Sequence, residues 1–362
     1  MADMNILFVS ESHGWSGGAN QMILTAGELI RRGHKITFAI PSDGVIAERA
    51  RKAGFEVIDL RIRQDYDIPS ALKLKAIARK TGAQLVHAHH PQAHAICLIA
   101  RYLGMNIPFI VTRRVIFRIR VNPFSALKYR SLKITKYIAV CNAAKTELVK
   151  GGVPAAKIDV IPSAVDFRKY AEAKKKRAAL EFKPPFRVGM IGHYAWFKGH
   201  DFMLKAAPAI LQEFPDTVFV FAGRDTRQLE PLAREAGIEK NVEILGERND
   251  VPEILSGLHL FAMPSLQEGI ATALIEAQSA GVPAVASDIG GIPDVMIAGQ
   301  TGEMVPARDA DALAAAVIKM LRDPELSRRY ADAAFERVSR NFDLPAVCDR
   351  LEKLYLSLGE NK

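Results

Sequence analysis

The chain has 362 residues and no apolar run approaching the ~20 that a membrane-spanning helix needs. Its opening, MADMNILFVS, has no basic segment ahead of the apolar one and enters a strand pattern at once, so no secretory signal is expected. The three cysteines, Cys97, Cys141 and Cys348, are odd in number and share no close spacing. That excludes a disulfide framework and suits buried thiols in a reducing cytoplasm. There is no repeat of solenoid period and no low-complexity tail. One absence is local: from Ile68 to Thr146 there is no Asp or Glu, yet there are 14 Lys and Arg. Of the 49 basic residues, 35 remain to face all 40 acids elsewhere, a net of −5, so the whole +9 balance originates in the first half. Such a patch fits an anionic partner: nucleic acid, a membrane surface or a phosphorylated acceptor.

What is present is the composition of a soluble globular protein, 49% hydrophobic and 25% charged, in a chain too long for one ordinary core. Asn5 to Ser10 reads as a strand, ESHGWSGGANQ as a glycine-rich turn, Ala19 to Arg32 as a helix and Lys35 to Ile40 as the next strand. This is the opening of a doubly wound α/β domain. Gly17 and Gly18 let the backbone approach a ligand at the carboxyl edge of the first strand. The turn is not G-x-G-x-x-G, so a dinucleotide reading is weak. Short β-rich runs follow at 55–60, 85–89, 109–112 and 137–141. The first domain is expected to span 1–165, with a linker over 166–185. From Arg187 the pattern restarts, with strands at 187–191, 217–222, 242–245 and 258–263, giving a second domain over 186–343 and a terminal helix within 344–362.

The densest stretch runs from Met263 to Pro306. A buried strand ends at Pro264-Ser265, and Gly269 precedes a helix from Thr272 to Ala280 that Gly281 and Pro283 stop. Glu268 therefore sits on a strand-to-helix loop and Glu276 inside the helix. The amides of Gly269, Ile270, Ala271 and Thr272 could hold a phosphate or sugar oxygen, while the two carboxylates suit sugar or ribose hydroxyls.

The frame PS-x-x-EG-x7-EA-x4-GVP-x-VAS-x-x-GG-x-P-D resembles the nucleotide-sugar signature of retaining GT-B glycosyltransferases, the glycosyltransferase family 4 group. The resemblance implies two Rossmann-like domains facing a cleft, Glu268 toward the donor sugar and Glu276 toward the ribose. It implies that Lys198, in Trp196-Phe-Lys-Gly, neutralises the donor diphosphate. His193 stands where the family has Arg, which leaves Lys198 as the main cation. Gly17, Gly18, Gly223 and Arg224 match the family's turns near the diphosphate. The last helix is expected, on the same ground, to cross back onto the first domain.

His87, His89, His90 and His94 suggest a zinc site, but alternation along a strand does not converge three ligands. No metal is expected. The resemblance instead offers His90 as a sugar or acceptor contact and catalytic candidate. Arg114 stands where the family often has His, which leaves the acceptor-side residue open. Asp309-Ala-Asp311 begins a helix and reads as its cap.

The expected activity is retaining transfer from a UDP, GDP or ADP sugar to a glycan or glycolipid, in cell-envelope polysaccharide or lipopolysaccharide synthesis, with no further cofactor. Same-face attack is implied, the donor phosphate helping to deprotonate the acceptor. The rivals are a sugar-nucleotide epimerase of the same fold, a catalytically weakened nucleotide-sugar-binding protein and, from the basic half alone, a nucleic-acid binder. Arg113, Arg114, Arg118, Arg120, Lys128 and Arg130, interleaved with apolar residues such as Ile116, Phe117, Phe124 and Tyr129, are expected to meet the acceptor or an anionic membrane at the inner face. Because the resemblance is to an enzyme, these partners are preferred to nucleic acid.

Overall fold

The computed structural model describes residues 3–119 and 123–359, without the side chains of Pro123 and Phe124. Arg120 and the Phe124 side chain therefore lie outside the described residues. The chain divides into two units, Met1–Ala164 with Leu344–Lys362, and Val165–Asp343.

The first unit holds seven parallel strands: β1 (Asn5–Val9), β2 (Lys35–Ile40), β3 (Glu56–Asp59), β4 (Leu85–Ala88), β5 (Phe109–Arg113), β6 (Lys136–Ala139) and β7 (Ile158–Val160). Their order is β3-β2-β1-β4-β5-β6-β7. The central strands are near-continuous apolar runs because helices cover both faces of a parallel sheet. The order reverses between β1 and β4, where the loops leaving the two strands part and leave a crevice at their carboxyl ends. Caps fix the helices that follow. Ser16 accepts the Ala19 amide at 3.2 Å to open helix Gly17–Arg31, and the Glu11 carboxylate receives the amides of Gln92 and Ala93 at the start of helix Pro91–Tyr102.

The last helix, Leu344–Gly359, is part of this first unit. Leu344, Val347, Cys348, Leu351, Leu354 and Tyr355 enter the same core as Met4, Phe8, Leu29 and Phe38. Arg32 on helix Gly17–Arg31's C-cap reaches Asp349 and Glu352, each at 2.7 Å, and His34 meets Glu352 at 3.0 Å.

The second unit repeats the plan with six parallel strands, β8 (Arg187–Ile191), β9 (Val218–Ala222), β10 (Val242–Gly246), β11 (Leu260–Met263), β12 (Ala284–Ser287) and β13 (Glu303–Val305), in the order β10-β9-β8-β11-β12-β13. Its reversal falls between β8 and β11. The 166–185 stretch, expected as a linker, carries a 3-10 turn at Phe167–Tyr170 and helix Ala171–Ala178 inside this unit. Tyr170, Ala173 and Arg177, spaced three and four apart, turn inward. Asp309 caps helix Ala310–Arg322, accepting the Ala312 amide at 2.8 Å.

Candidate active site

In the second unit, the reversal between β8 and β11 brings two loops together. The loop after β8 makes a short 3-10 turn, Trp196–Lys198, and ends at Gly199 with φ +78°. A Cβ at Gly199 would stand 1.8 Å from the Pro264 carbonyl oxygen, so only glycine allows this turn to lie against the loop after β11. The contact is stitched by the Leu266 amide, which donates to the Phe197 carbonyl at 2.7 Å. Its result is that Lys198 Nζ meets Glu268 Oε2 at 2.7 Å, with the side chains only 16% and 11% exposed. Glu268 is held from behind by the Gly291 amide, which donates to its carbonyl at 3.1 Å. The GG-x-P segment thus serves to fix the backbone of this carboxylate.

His193 lies on the same loop with its ring 5.9 Å from Phe197. Burial, then the charges of Lys198 and Arg224, lower its pKa, partly offset by Glu268 and Asp225. It is therefore a neutral imidazole near pH 7, and Lys198 is the cation of the pair. Tyr194 donates its amide to the Arg224 carbonyl at 2.9 Å and Gly223 donates to Gly246 at 2.7 Å, which ties the loops after β8, β9 and β10 into one rim. The Arg224 side chain itself is exposed.

The expected cradle of four amides is smaller than the sequence suggested. Thr272 gives its amide to the Ile270 carbonyl at 2.9 Å, because the chain makes a tight turn before helix Thr272–Ser279. Ile270 and Ala271 bury their side chains in the core. Glu276, within that helix, is closely surrounded by protein. Burial pushes its pKa up to about 7, against the Tyr170 hydroxyl that hydrogen-bonds it and the Lys169 charge, both of which pull it down. Neither Tyr170 nor Lys169 was anticipated. The signal was there in the inward spacing of Tyr170, Ala173 and Arg177.

In the first unit, the loop after β1 and the ends of β4 and β5 meet at Gly18. A Cβ there would lie 3.3 Å from His90 Nε2 and 3.2 Å from Arg114 Cδ, so Gly18 keeps the helix end open to both side chains. His90 Nδ1 is 2.7 Å from Ser10 Oγ. Gly17, its neighbour, has open space at its Cα. His87 is buried between Tyr355 and Thr112, with hydroxyls 2.6 Å from each ring nitrogen, and burial holds its pKa down to about 3. His89 lies beside it, ring centroids 4.0 Å apart. His94 faces Tyr129 instead. Among the described residues no group of three or more His, Cys, Asp or Glu could hold a metal ion.

The basic patch is where the structure most departs from expectation. Arg113 is only 8% exposed, its guanidinium donating to the Tyr129 hydroxyl and the Phe117 carbonyl. Lys128 pairs with Asp65 at 3.0 Å, and Arg130 donates to the Gly151 carbonyl at 3.0 Å. Arg114 turns in toward Gly18. Of the six cations, Arg118 and Arg130 are the exposed ones among the described residues, and Arg130 is the one of these two tied to a backbone carbonyl. Cations that look like a solvated face in sequence instead donate to backbone and hydroxyl oxygens that irregular loops leave without ladder partners. No described helix is long and apolar enough to cross a membrane.

Two parallel-sheet units of these strand orders, each with its loops gathered at a reversal, have the architecture of the GT-B fold. Anabaena HepE in complex with UDP superposes with a TM-score of 0.86 at 21% identity, covering 98% of this chain and 100% of that one. A glycosyltransferase from Rickettsia africae superposes at 0.87 and 19%, covering all of both chains. Residues 15–169 match the Glycosyltransferase Family 4 model and residues 172–337 the Glycosyl transferases group 1 model. The chain belongs to glycosyltransferase family 4, whose members are retaining hexosyltransferases. Among its relatives is the UDP-Gal:alpha-D-GlcNAc-diphosphoundecaprenol alpha-1,3-galactosyltransferase of Escherichia coli, 28% identical over 82% of this chain and 81% of that protein.

Proposed function

We propose that this glycosyltransferase moves a hexose from a uridine-diphosphate sugar to a lipid-linked glycan, at the cytoplasmic face of an anionic membrane, in cell-envelope glycan synthesis. The observation that carries the reading is the Lys198–Glu268 pair at the reversal of the second sheet, with Glu276 in the following helix. The choice of uridine and of a lipid-linked acceptor is supported by what the E. coli relative is named for and by the UDP bound to HepE.

In this reading Glu276 accepts ribose hydroxyls, Glu268 orients the sugar, and Lys198 faces the diphosphate with the amides before helix Thr272–Ser279. The bond from the anomeric carbon to the β-phosphate oxygen breaks and a bond to the acceptor oxygen forms on the same face. The acceptor proton passes to the leaving phosphate, and Lys198 opposes the negative charge that develops there. A binding screen of UDP, GDP and ADP sugars should select UDP. Tighter binding of a GDP or ADP sugar would overturn the donor assignment.

Glu276 gives this donor site a pH dependence. Ribose hydroxyls donate to the carboxylate, so bound donor favours the ionised form and lowers a pKa that starts near 7 in the free protein. Binding therefore releases a proton below that value. Donor affinity should rise with pH up to about 7 and level off above it, and Glu276→Gln should flatten the profile. Glu276→Ala should weaken donor binding roughly ten- to a hundredfold, the ~1.5–3 kcal/mol of a hydrogen bond to a charged group. Unchanged UDP affinity in the folded Ala variant would remove Glu276 from the site.

The membrane side of the proposal moves from the arginines, of which Arg113 is buried and Arg114 half-buried, to apolar residues. Phe117, Leu127 and Leu132 are 56%, 62% and 86% exposed, within the acid-free stretch. A groove of about 730 Å³ runs between Tyr66, Leu98, Val115, Phe117, Leu127 and Tyr129, with Arg118 on its lining. Apolar side chains beside cations suit an anionic lipid surface, where each exposed cation contributes ~1 kcal/mol. Replacing Phe117, Leu127 and Leu132 by Ser should reduce co-sedimentation with phosphatidylglycerol vesicles severalfold at low salt. A wild type that fails to sediment with them refutes the surface.

A further inference from the structure

Arg114, just beyond β5, is a cation without a counterion. Its Nη1 donates to Ser163 Oγ at a long 3.3 Å, and its Nε is buried with no partner. Among the described residues no carboxylate pairs with it. Glu11, the acid on the neighbouring loop, is committed to the amides of Gln92 and Ala93 at 3.1 and 2.9 Å. The groups around it are neutral: the His90 imidazole, the Tyr355 phenol, and His87 and His89, whose pKa values lie below the usual range because of burial and of the Arg114 charge itself. Arg114 is half-buried, and a guanidinium partly withdrawn from water is ordinarily matched by a carboxylate or a phosphate, because the hydration it gives up is otherwise not replaced. Nothing among the described residues of this unit supplies the match.

The space in front of Arg114 is shaped for one. Gly18 presents no side chain between Arg114 and His90 Nε2, and helix Gly17–Arg31 starts there with no acidic residue in its first turn. His90 is oriented by Ser10 through Nδ1, which turns Nε2 toward the same space. A cation, a neutral imidazole nitrogen and the positive end of a fifteen-residue helix thus converge on one point.

We propose that Arg114 binds an anionic group, a phosphate or carboxylate, carried by the sugar acceptor, with His90 as a neutral partner at the same subsite. This rests on the glycosyl-transfer reading and narrows its acceptor to a charged one. A planar guanidinium grips such a group through two parallel hydrogen bonds, which an imidazole at that position cannot do. The acceptor's anion supplies the charge that the fold withholds, and its grip sets where the nucleophilic hydroxyl lies.

Inorganic phosphate tests the subsite in the full chain by calorimetric titration, with UDP present at saturation to occupy the donor site. Wild type should bind phosphate one to one. Arg114→Gln should weaken that binding at least tenfold, Arg114→Lys should fall between, and both should hold UDP within twofold of wild type. The ligand-free melting temperature of Arg114→Gln should equal or exceed that of wild type, since an unmatched charge is removed. A structural cation would lower it. Phosphate affinity unchanged in Arg114→Gln, or phosphate displaced by UDP, overturns the acceptor assignment. Failure of wild type to bind UDP sinks the donor reading instead, and the same titration without UDP still measures the subsite.

Discussion

Replacing Lys198 by alanine should lower turnover by two to three orders of magnitude while changing donor affinity only a few-fold. In the ligand-free protein Lys198 already has a partner, the Glu268 carboxylate at 2.7 Å, and neither side chain is freely hydrated. A ground-state diphosphate therefore competes with an existing ion pair, and its net gain from Lys198 is small. The leaving diphosphate carries more charge at the transition state than in the substrate, so the same ammonium acts mainly there. Removing one such preorganised group costs ~2.7–4 kcal/mol, roughly 10²- to 10³-fold in rate. Alanine also leaves Glu268 unpaired against the phosphates, so Lys198→Ala with Glu268→Gln should recover affinity without recovering turnover. Single-turnover kinetics with separately measured donor affinity decide the matter. A turnover within twofold of wild type would make Lys198 an ordinary surface lysine.

Ending the chain at Asp343 should leave the first unit unfolded. The deletion removes Leu344, Val347, Cys348, Leu351, Leu354 and Tyr355 from its core. A fully buried apolar side chain contributes ~1.5–3 kcal/mol, so the six together represent on the order of 10 kcal/mol. That matches the whole stability of an ordinary domain, ~5–15 kcal/mol. The same cut strips Glu352 from His34 and the Tyr355 hydroxyl from His87, leaving buried imidazoles with lost partners. Hydrogen exchange should show β1 and β4 without protection in the truncated chain while β8 and β11 retain theirs. Native-like protection in β1 would show that the last helix is dispensable.

The alternation of strands and helices, and the loops on which Lys198 and Glu268 sit, were legible because they depend on local patterns. A buried parallel strand is an apolar run, and a turn that presses on another backbone demands glycine, as Gly199 does. Partnerships across long separations were not legible. Tyr170 and Glu276 meet through a segment whose Lys174 to Arg177 run looked like a solvated linker, because its charges outnumber its three inward residues. The arginines divided for a related reason. Sequence gives Arg113, Arg114 and Arg118 the same appearance, yet the loop after β5 sends the first into the Tyr129 contact, the second toward Gly18 and the third to solvent. Only the path of that loop separates a structural cation from an unmatched one.

Because the sheet of the first unit opens in the chain at Asn5 and receives its last helix only from Leu344, everything between Val165 and Asp343 is an insertion within it. Domains made on a ribosome ordinarily complete themselves from the amino end. Here the order is inverted. The second unit has all of its residues in hand while the first still waits for the final sixteen-residue helix to emerge. A nascent chain therefore carries a finished Lys198–Glu268 loop pair before it owns a closed core around His87.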